Sequence, residues 1–138
     1  AIVAMATAMR EACENMTTAA EYTRRLRDKL VDRILEIPGA NINGSMNNRL
    51  PGNINCRFDG VEGEAVVIML DLAGVCVSAG SACTSGSGEP SHVLTAMGQT
   101  RRDAYGAIRI TLAETNTEAE VEYIADRLAA IVKDLRRK

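Results

Sequence analysis

The sequence has no tryptophan, one phenylalanine and a single histidine, and aromatic residues make up only 3% of its 138 positions. Nucleic-acid bases stack on aromatic faces, and a phosphate backbone calls for a basic patch or stripe. With a formal net charge of -2 the chain offers neither, so no nucleic-acid partner is expected. Long apolar runs are also missing: nothing reaches the roughly eighteen residues that signal a membrane span. The apolar opening Ala1-Ile2-Val3-Ala4-Met5-Ala6 has no basic stretch before it and runs straight into helical periodicity, so it is not read as a signal peptide. The four cysteines (Cys13, Cys56, Cys76, Cys83) form no CxxC pair and no zinc-finger spacing with His92, and no metal site is expected. Two disulfides are arithmetically possible, but a chain of this size does not need such staples. Reduced thiols and a cytoplasmic setting are the expectation.

What is present suits one globular domain over residues 1–138, with 46% hydrophobic and 25% charged residues. The first 36 residues are helical in period. Met5, Met9, Cys13 and Met16 recur at three- and four-residue intervals, and Leu26, Leu30 and Ile34 continue the stripe. That run is long for one globular helix. A break near Thr17-Thr18, or a helix joining two domains, would account for it. Pro38-Gly39 ends it, and Asn41 to Gly52 reads as turns around a short strand.

Ile54, Cys56 and Phe58 alternate with polar residues, the period of a half-buried strand. Residues 62–72 suit a helix with Ala65, Ile68, Met69 and Leu72 on one face and Gly74 as its cap, although Val66-Val67-Ile68 would also suit a strand. Val75-Cys76-Val77 reads as a short buried strand, and Pro90 suits the first turn of a helix to about Met97. After a polar segment, Ile108, Ile110 and Leu112 alternate in a further strand. Thr117 and Glu120 form a capping box for a last helix carrying Val121, Ile124, Leu128, Ile131 and Leu135. The expected fold is α+β, a small sheet covered by helices.

Residues 78–89 stand apart, because nearly every residue around Cys83 is small and nothing there anchors a core. Such a loop is expected to be mobile and its thiol exposed. Cys56 and Cys76, by contrast, read as core residues on strands. An exposed thiol invites oxidation, so its presence asks for a reason; a few per cent of thiolate at neutral pH suffices for nucleophilic work. The bland alternative is a surface cysteine. Arg109 points away from the apolar face of its strand. Most such arginines are merely solvated, but a guanidinium on a rigid strand also suits a bidentate grip on a carboxylate. A Cys83–His92 pair would span the loop, with no acid in evidence to orient the imidazole.

The run Ser78-Ala79-Gly80-Ser81-Ala82-Cys83-Thr84-Ser85-Gly86, continuing through Glu89-Pro90-Ser91-His92-Val93-Leu94 and Ala96-Met97-Gly98, closely resembles the active-site loop of the group I (NifS/IscS-like) cysteine desulfurases. Leu50-Pro51-Gly52-Asn53-Ile54-Asn55 and Ala107-Ile108-Arg109-Ile110-Thr111-Leu112 match the same family in order. The resemblance covers essentially the whole chain as that family's C-terminal small domain, part of a fold-type I transferase dependent on pyridoxal 5'-phosphate. It implies removal of sulfur from L-cysteine, giving L-alanine and a persulfide on Cys83, with Arg109 holding the substrate carboxylate. It also implies a homodimer and a sulfur acceptor such as an iron–sulfur scaffold protein.

The family holds its cofactor on a lysine directly after a histidine, whereas here the lysines are Lys29, Lys133 and Lys138, and Val93 follows His92. The resemblance therefore implies that cofactor-binding residues lie upstream of Ala1, that residues 1–36 lead toward a pyridoxal-phosphate-binding domain, and that this chain alone is inactive. The start inside a helix agrees, although removal of an initiator Met would give the same start. Ala113, where the family commonly has Gly, and Gly88, where a larger residue is frequent, are smaller departures. A stand-alone sulfur carrier and a Cys83–His92 hydrolase are the competing readings.

Overall fold

A computed structural model describes residues 1–80 and 90–137. Its scaffold is a three-stranded antiparallel sheet in the order β1-β2-β3, built from β1 (Ala40–Ile42), β2 (Asn53–Phe58) and β3 (Ala107–Thr111). The α+β expectation holds. β2 is central and strictly alternating: Ile54, Cys56 and Phe58 are buried while Asn53, Asn55 and Arg57 are half-buried on the other face. In the register, Ile54 lies opposite Ile110 and Cys56 opposite Ile108, so the apolar residues of both strands share one face.

Three helices cover that face. α1 (Ile2–Leu35) runs without a break through Thr17-Thr18. Threonine costs a helix only about 0.7 kcal/mol, and no Pro or Gly interrupts the segment. The expected apolar stripe divides in two, however. Leu26, Leu30, Val31 and Ile34 are buried on the sheet and against the last helix, while Met5, Met9 and Met16 stay 61%, 60% and 64% exposed. α2 (Gly63–Leu72) is a helix rather than a strand, but its buried face is Val66 and Leu70, not Ile68, Met69 and Leu72. Apolar residues lie almost all round this helix, so periodicity could not select the face. Gly63 selects it: a Cβ there would stand 2.6 Å from the Ala107 carbonyl oxygen, so the helix start abuts β3. At its other end Gly74 (φ +79°) donates to Asp71 O and Val75 N to Leu70 O, both at 2.9 Å, which closes a Schellman cap.

That cap turns the chain outward, and no strand forms over Val75–Val77. Val75 is buried, Cys76 is exposed, and only Ser78 reaches the sheet, through an isolated bridge to Arg109. The core position expected for Cys76 is thereby corrected. Pro90 lies two residues ahead of α3 (His92–Ala96), whose N-cap is Ser91. The polar segment that follows contains a further helix, α4 (Arg101–Tyr105), capped where Thr100 Oγ1 accepts from Asp103 N at 3.1 Å.

The last helix, α5 (Glu118–Leu135), opens on the expected capping box. Thr117 Oγ1 accepts from Glu120 N at 3.2 Å, and Glu120 Oε2 accepts from Thr117 N at 2.8 Å. Val121, Ile124, Leu128, Ile131 and Val132 bury its inner face. Lys29 and Arg33 of α1 meet Glu118, Glu122 and Asp126 of α5 along an exposed seam, worth little energy but favouring one register. Arg136 donates to Asp59 O (3.1 Å) and Pro38 O (2.7 Å), pinning the helix end to the turns beside β1 and β2.

Two expectations test this packing. Gly52 O accepts from Leu112 N at 2.9 Å, and a Cβ on Gly52 would stand 2.0 Å from Leu112 O. Gly52→Ala is expected to destabilise the chain by about 1–3 kcal/mol, read from its urea midpoint. The Glu120 carboxyl is held below the usual range, chiefly by the Thr117 backbone N–H and then by the Asn116 side chain. A depressed carboxylate contributes stability at pH above the ordinary carboxylate value, and that contribution is lost as pH falls through the lowered one. Glu120→Gln should flatten that part of the acid unfolding profile while leaving the neutral-pH helix content unchanged.

Candidate active site

The face of the sheet away from the core is polar, and one line of residues crosses it. Asn55 lies directly opposite Arg109 in the β2–β3 register. On the near side Asn43 N donates to Asn55 O at 2.8 Å. On the far side Arg109 and Ser78 exchange two backbone bonds, at 2.6 and 3.1 Å. Directly opposed residues of an antiparallel ladder share a face, with Cβ atoms about 4.5–5.5 Å apart. Asn43, Asn55, Arg109 and Ser78 therefore form a polar row. Arg109 is exposed, and its guanidinium has no hydrogen bond or ion pair among the described residues. Its neighbour Arg57 is neutralised instead, by Asp59 at 2.6 Å and Asp103 at 3.2 Å.

The near end of the row is rigid. Asn43 is buried, only 4% exposed, and its Nδ2 donates to Asn55 Oδ1 at 2.8 Å. Arg49 braces the turn around it, donating from Nε to Ser45 O at 3.1 Å and from Nη2 to Asn43 O. Burial, and then the charge of Arg27, hold the Arg49 guanidinium below its ordinary value. Arg27 is itself buried on α1, paired with Asp28 at 2.7 Å and reaching Leu50 O at 3.4 Å. Arg27 thus ties α1 to the start of the segment Leu50-Pro51-Gly52-Asn53, while Arg49 holds the turn before it. Sequence reading weighs the amides of Asn41 to Asn55 as the lining of a ligand site, prefers turn chemistry for them, and does not join Asn43, Asn55 and Ser78 to Arg109 in one row. The available signal was the pairing of the two alternating strands, which no single segment displays.

Cys83 and its neighbours in 81–89 lie outside the described residues. Chain length still bounds its reach, since five peptide steps from the Ser78 Cα span at most about 18 Å. His92, the first residue of α3, is exposed, and its imidazole has no partner among the described residues. Nothing described here orients it as a catalytic base. Cys56 is fully buried, and burial pushes its thiol up to about 12, so it is chemically quiet. No group of His, Cys, Asp and Glu among the described residues is arranged to hold a metal ion. A cleft of about 810 Å³ lies between the end of β2 and α4, but it is lined by Asp59, Glu62, Glu64 and Asp103 beside Arg57 and Arg102. Arg109 is not part of it.

The lysines do not suit a pyridoxal-phosphate site. Lys29 is bound to Glu118 and Glu122 at 3.1 Å on the α1–α5 seam, and Lys133 lies in the last turn of α5. Both helices cover the apolar face, on the opposite side of the sheet from Arg109. The described residues do not fit that cofactor.

A family model for the class-V aminotransferases matches residues 1–124. The chain belongs to the class-V aminotransferase family. Among curated members of this family it is 42% identical over 113 residues to cysteine desulfurase IscS 1 of Archaeoglobus fulgidus, and 40% identical over 138 residues to cysteine desulfurase IscS of Clostridium botulinum. These alignments cover 82% and 98% of this chain but only 30% and 35% of those relatives. The chain thus spans about a third of the length of the curated relatives it matches. Among solved structures, a NifS-like protein superposes with a TM-score of 0.82 at 35% identity, covering 94% of this chain and 32% of that one. The fold is therefore that of a domain of a fold-type I transferase of this class. Among the described residues no helix is long and apolar enough to cross a membrane.

The described cysteines give a direct check on the placement of β2. Cys13 and Cys76 are exposed and free, and Cys56 is free but fully buried. A thiol reagent at neutral pH should modify Cys13 and Cys76 within minutes and reach Cys56 only on unfolding, as peptide mapping would show. The raised Cys56 value adds a pH dependence: its contribution to stability is complete below the ordinary thiol value of 9.0 and is lost as pH rises through about 12.

Proposed function

We propose that this chain is the C-terminal part of a pyridoxal-phosphate-dependent cysteine desulfurase, with Cys83 as the sulfur-accepting thiol and Arg109 as the grip on the substrate carboxylate. The observation that carries the reading is the Arg109 guanidinium, unpaired among the described residues and joined through its backbone to Ser78, five residues before Cys83 in sequence. Two relatives at 40% identity or more carry the name cysteine desulfurase and support it. An arginine on a central, paired strand loses little freedom when it closes on a carboxylate, and its fork matches the two oxygens.

The overall reaction gives alanine and turns the Cys83 thiol into a persulfide, from which an acceptor protein such as an iron–sulfur scaffold takes the sulfur. Arg109 sets the position of L-cysteine, and the Ser78 anchor keeps Cys83 within reach. The cofactor belongs to the part of the protein that this chain does not cover. The exposed methionines of α1 fit the same view, as a helix whose first half packs on that other part, within a homodimer. A cytoplasmic setting goes with it. A stand-alone sulfur carrier would need Cys83 but no carboxylate grip, and Arg109 argues against it.

The test uses the full-length protein loaded with pyridoxal phosphate. With L-cysteine it should release alanine and carry a persulfide, and Cys83→Ala should reduce persulfide to background. Arg109→Ala should raise KM for L-cysteine about ten- to a hundredfold, the worth of a charged hydrogen-bond pair. Residues 1–138 alone should release no alanine. Persulfide formation that survives Cys83→Ala would sink the assignment.

A further inference from the structure

We propose that Asn55 is a second binding residue for the substrate carboxylate, its Nδ2 donating beside the Arg109 guanidinium. The inference rests on the desulfurase reading and extends it to a residue that reading does not assign. Asn55 stands directly opposite Arg109, on the same face of the sheet and on the central strand. Its amide is not free to turn. The Oδ1 end accepts from Asn43 Nδ2 at 2.8 Å, and Asn43 is buried in a turn braced by Arg49. With the oxygen engaged on the β1 side, the NH2 end is directed away from Asn43, toward the β3 side of the row. The described residues offer that NH2 group no acceptor.

A carboxylate gripped in bidentate fashion by a guanidinium still has lone pairs to fill, about four sites over its two oxygens. A neutral donor next to the arginine fills one of them without adding charge. Because the amide is already oriented, little rotamer freedom is lost when substrate arrives. The arrangement also selects its ligand. It favours an α-carboxylate over a compound with the same amine and thiol but no carboxylate, since the donors would otherwise stay unmatched in the complex.

The experiment is equilibrium binding to the full-length, cofactor-loaded protein in a Cys83→Ala background, where sulfur transfer is blocked. Two ligands are compared: L-cysteine, and cysteamine, which lacks the carboxylate. Asn55→Ala should weaken L-cysteine about tenfold and leave cysteamine within twofold, so the preference for the carboxylate falls by the same factor. Asn55→Ser, polar but too short to reach a ligand, should behave alike and serves if the alanine variant does not fold. Unchanged L-cysteine affinity in a folded variant overturns the proposal. So does an equal loss for both ligands, which would mark Asn55 as a merely structural partner of Asn43. Failure of the parent protein to bind L-cysteine at all would instead overturn the desulfurase reading, and this inference with it.

Discussion

The antiparallel register of β2 against β3 is the constraint on which the rest depends. With Ile54 opposite Ile110 and Cys56 opposite Ile108, one face becomes wholly apolar and draws in α1, α2 and α5. The same register sets Asn55 opposite Arg109 on the other face. A slip of one residue would invert both faces at once, burying a guanidinium and exposing the core. Stability and the candidate site are therefore not separable properties of this sheet. Anything that holds the hydrophobic pairs in line also aligns the polar row.

The two faces are secured differently. The apolar face is held by burial of many side chains, which tolerates small shifts. The polar face is held by directed bonds: Asn43 to Asn55, Arg49 to the Asn43 turn, and Ser78 to Arg109. Burying Arg27 beside the half-buried Arg49 is costly, and N–H groups that find acceptors offset that cost. Asp28 and Leu50 O take up Arg27, while Ser45 O and Asn43 O take up Nε and Nη2 of Arg49 and leave its Nη1 without a partner among the described residues. Arg57 and Arg109 show the same economy in reverse. One is taken up by two carboxylates, while the other keeps its donors for something outside the described residues.

Membership of the class-V aminotransferase family gives this asymmetry a setting. The helices α1, α2 and α5 occupy one side of the sheet, and the polar row faces away from them. The chain covers about a third of its relatives' length, and the exposed apolar half of α1 is a surface that a larger assembly would cover. Neither described lysine lies on the side of Arg109. Under the proposed function, the site would be completed by groups from elsewhere, with Arg109 and Cys83 as this chain's part.

The sequence by itself determined the elements whose signals are local. The alternation of Ile54, Cys56 and Phe58, the Thr117–Glu120 box and the Gly74 cap each operate within a few residues, and the structure forms them as read. The motif around Cys83 was also legible, as a linear pattern of small residues, and so was the outward direction of Arg109. Tertiary structure decided what depends on partners distant in sequence. It turned α2 onto Val66 and Leu70, because Gly63 abuts β3 and the helix is apolar almost all round. It left Cys76 exposed, because the cap at Gly74 carries the chain outward before Ser78 rejoins the sheet. It divided the stripe of α1, because only its second half meets the sheet and α5. And it joined Asn43, Asn55, Arg109 and Ser78 into one row, since register between strands some fifty residues apart is fixed by which pairs bury together, and by no residue alone.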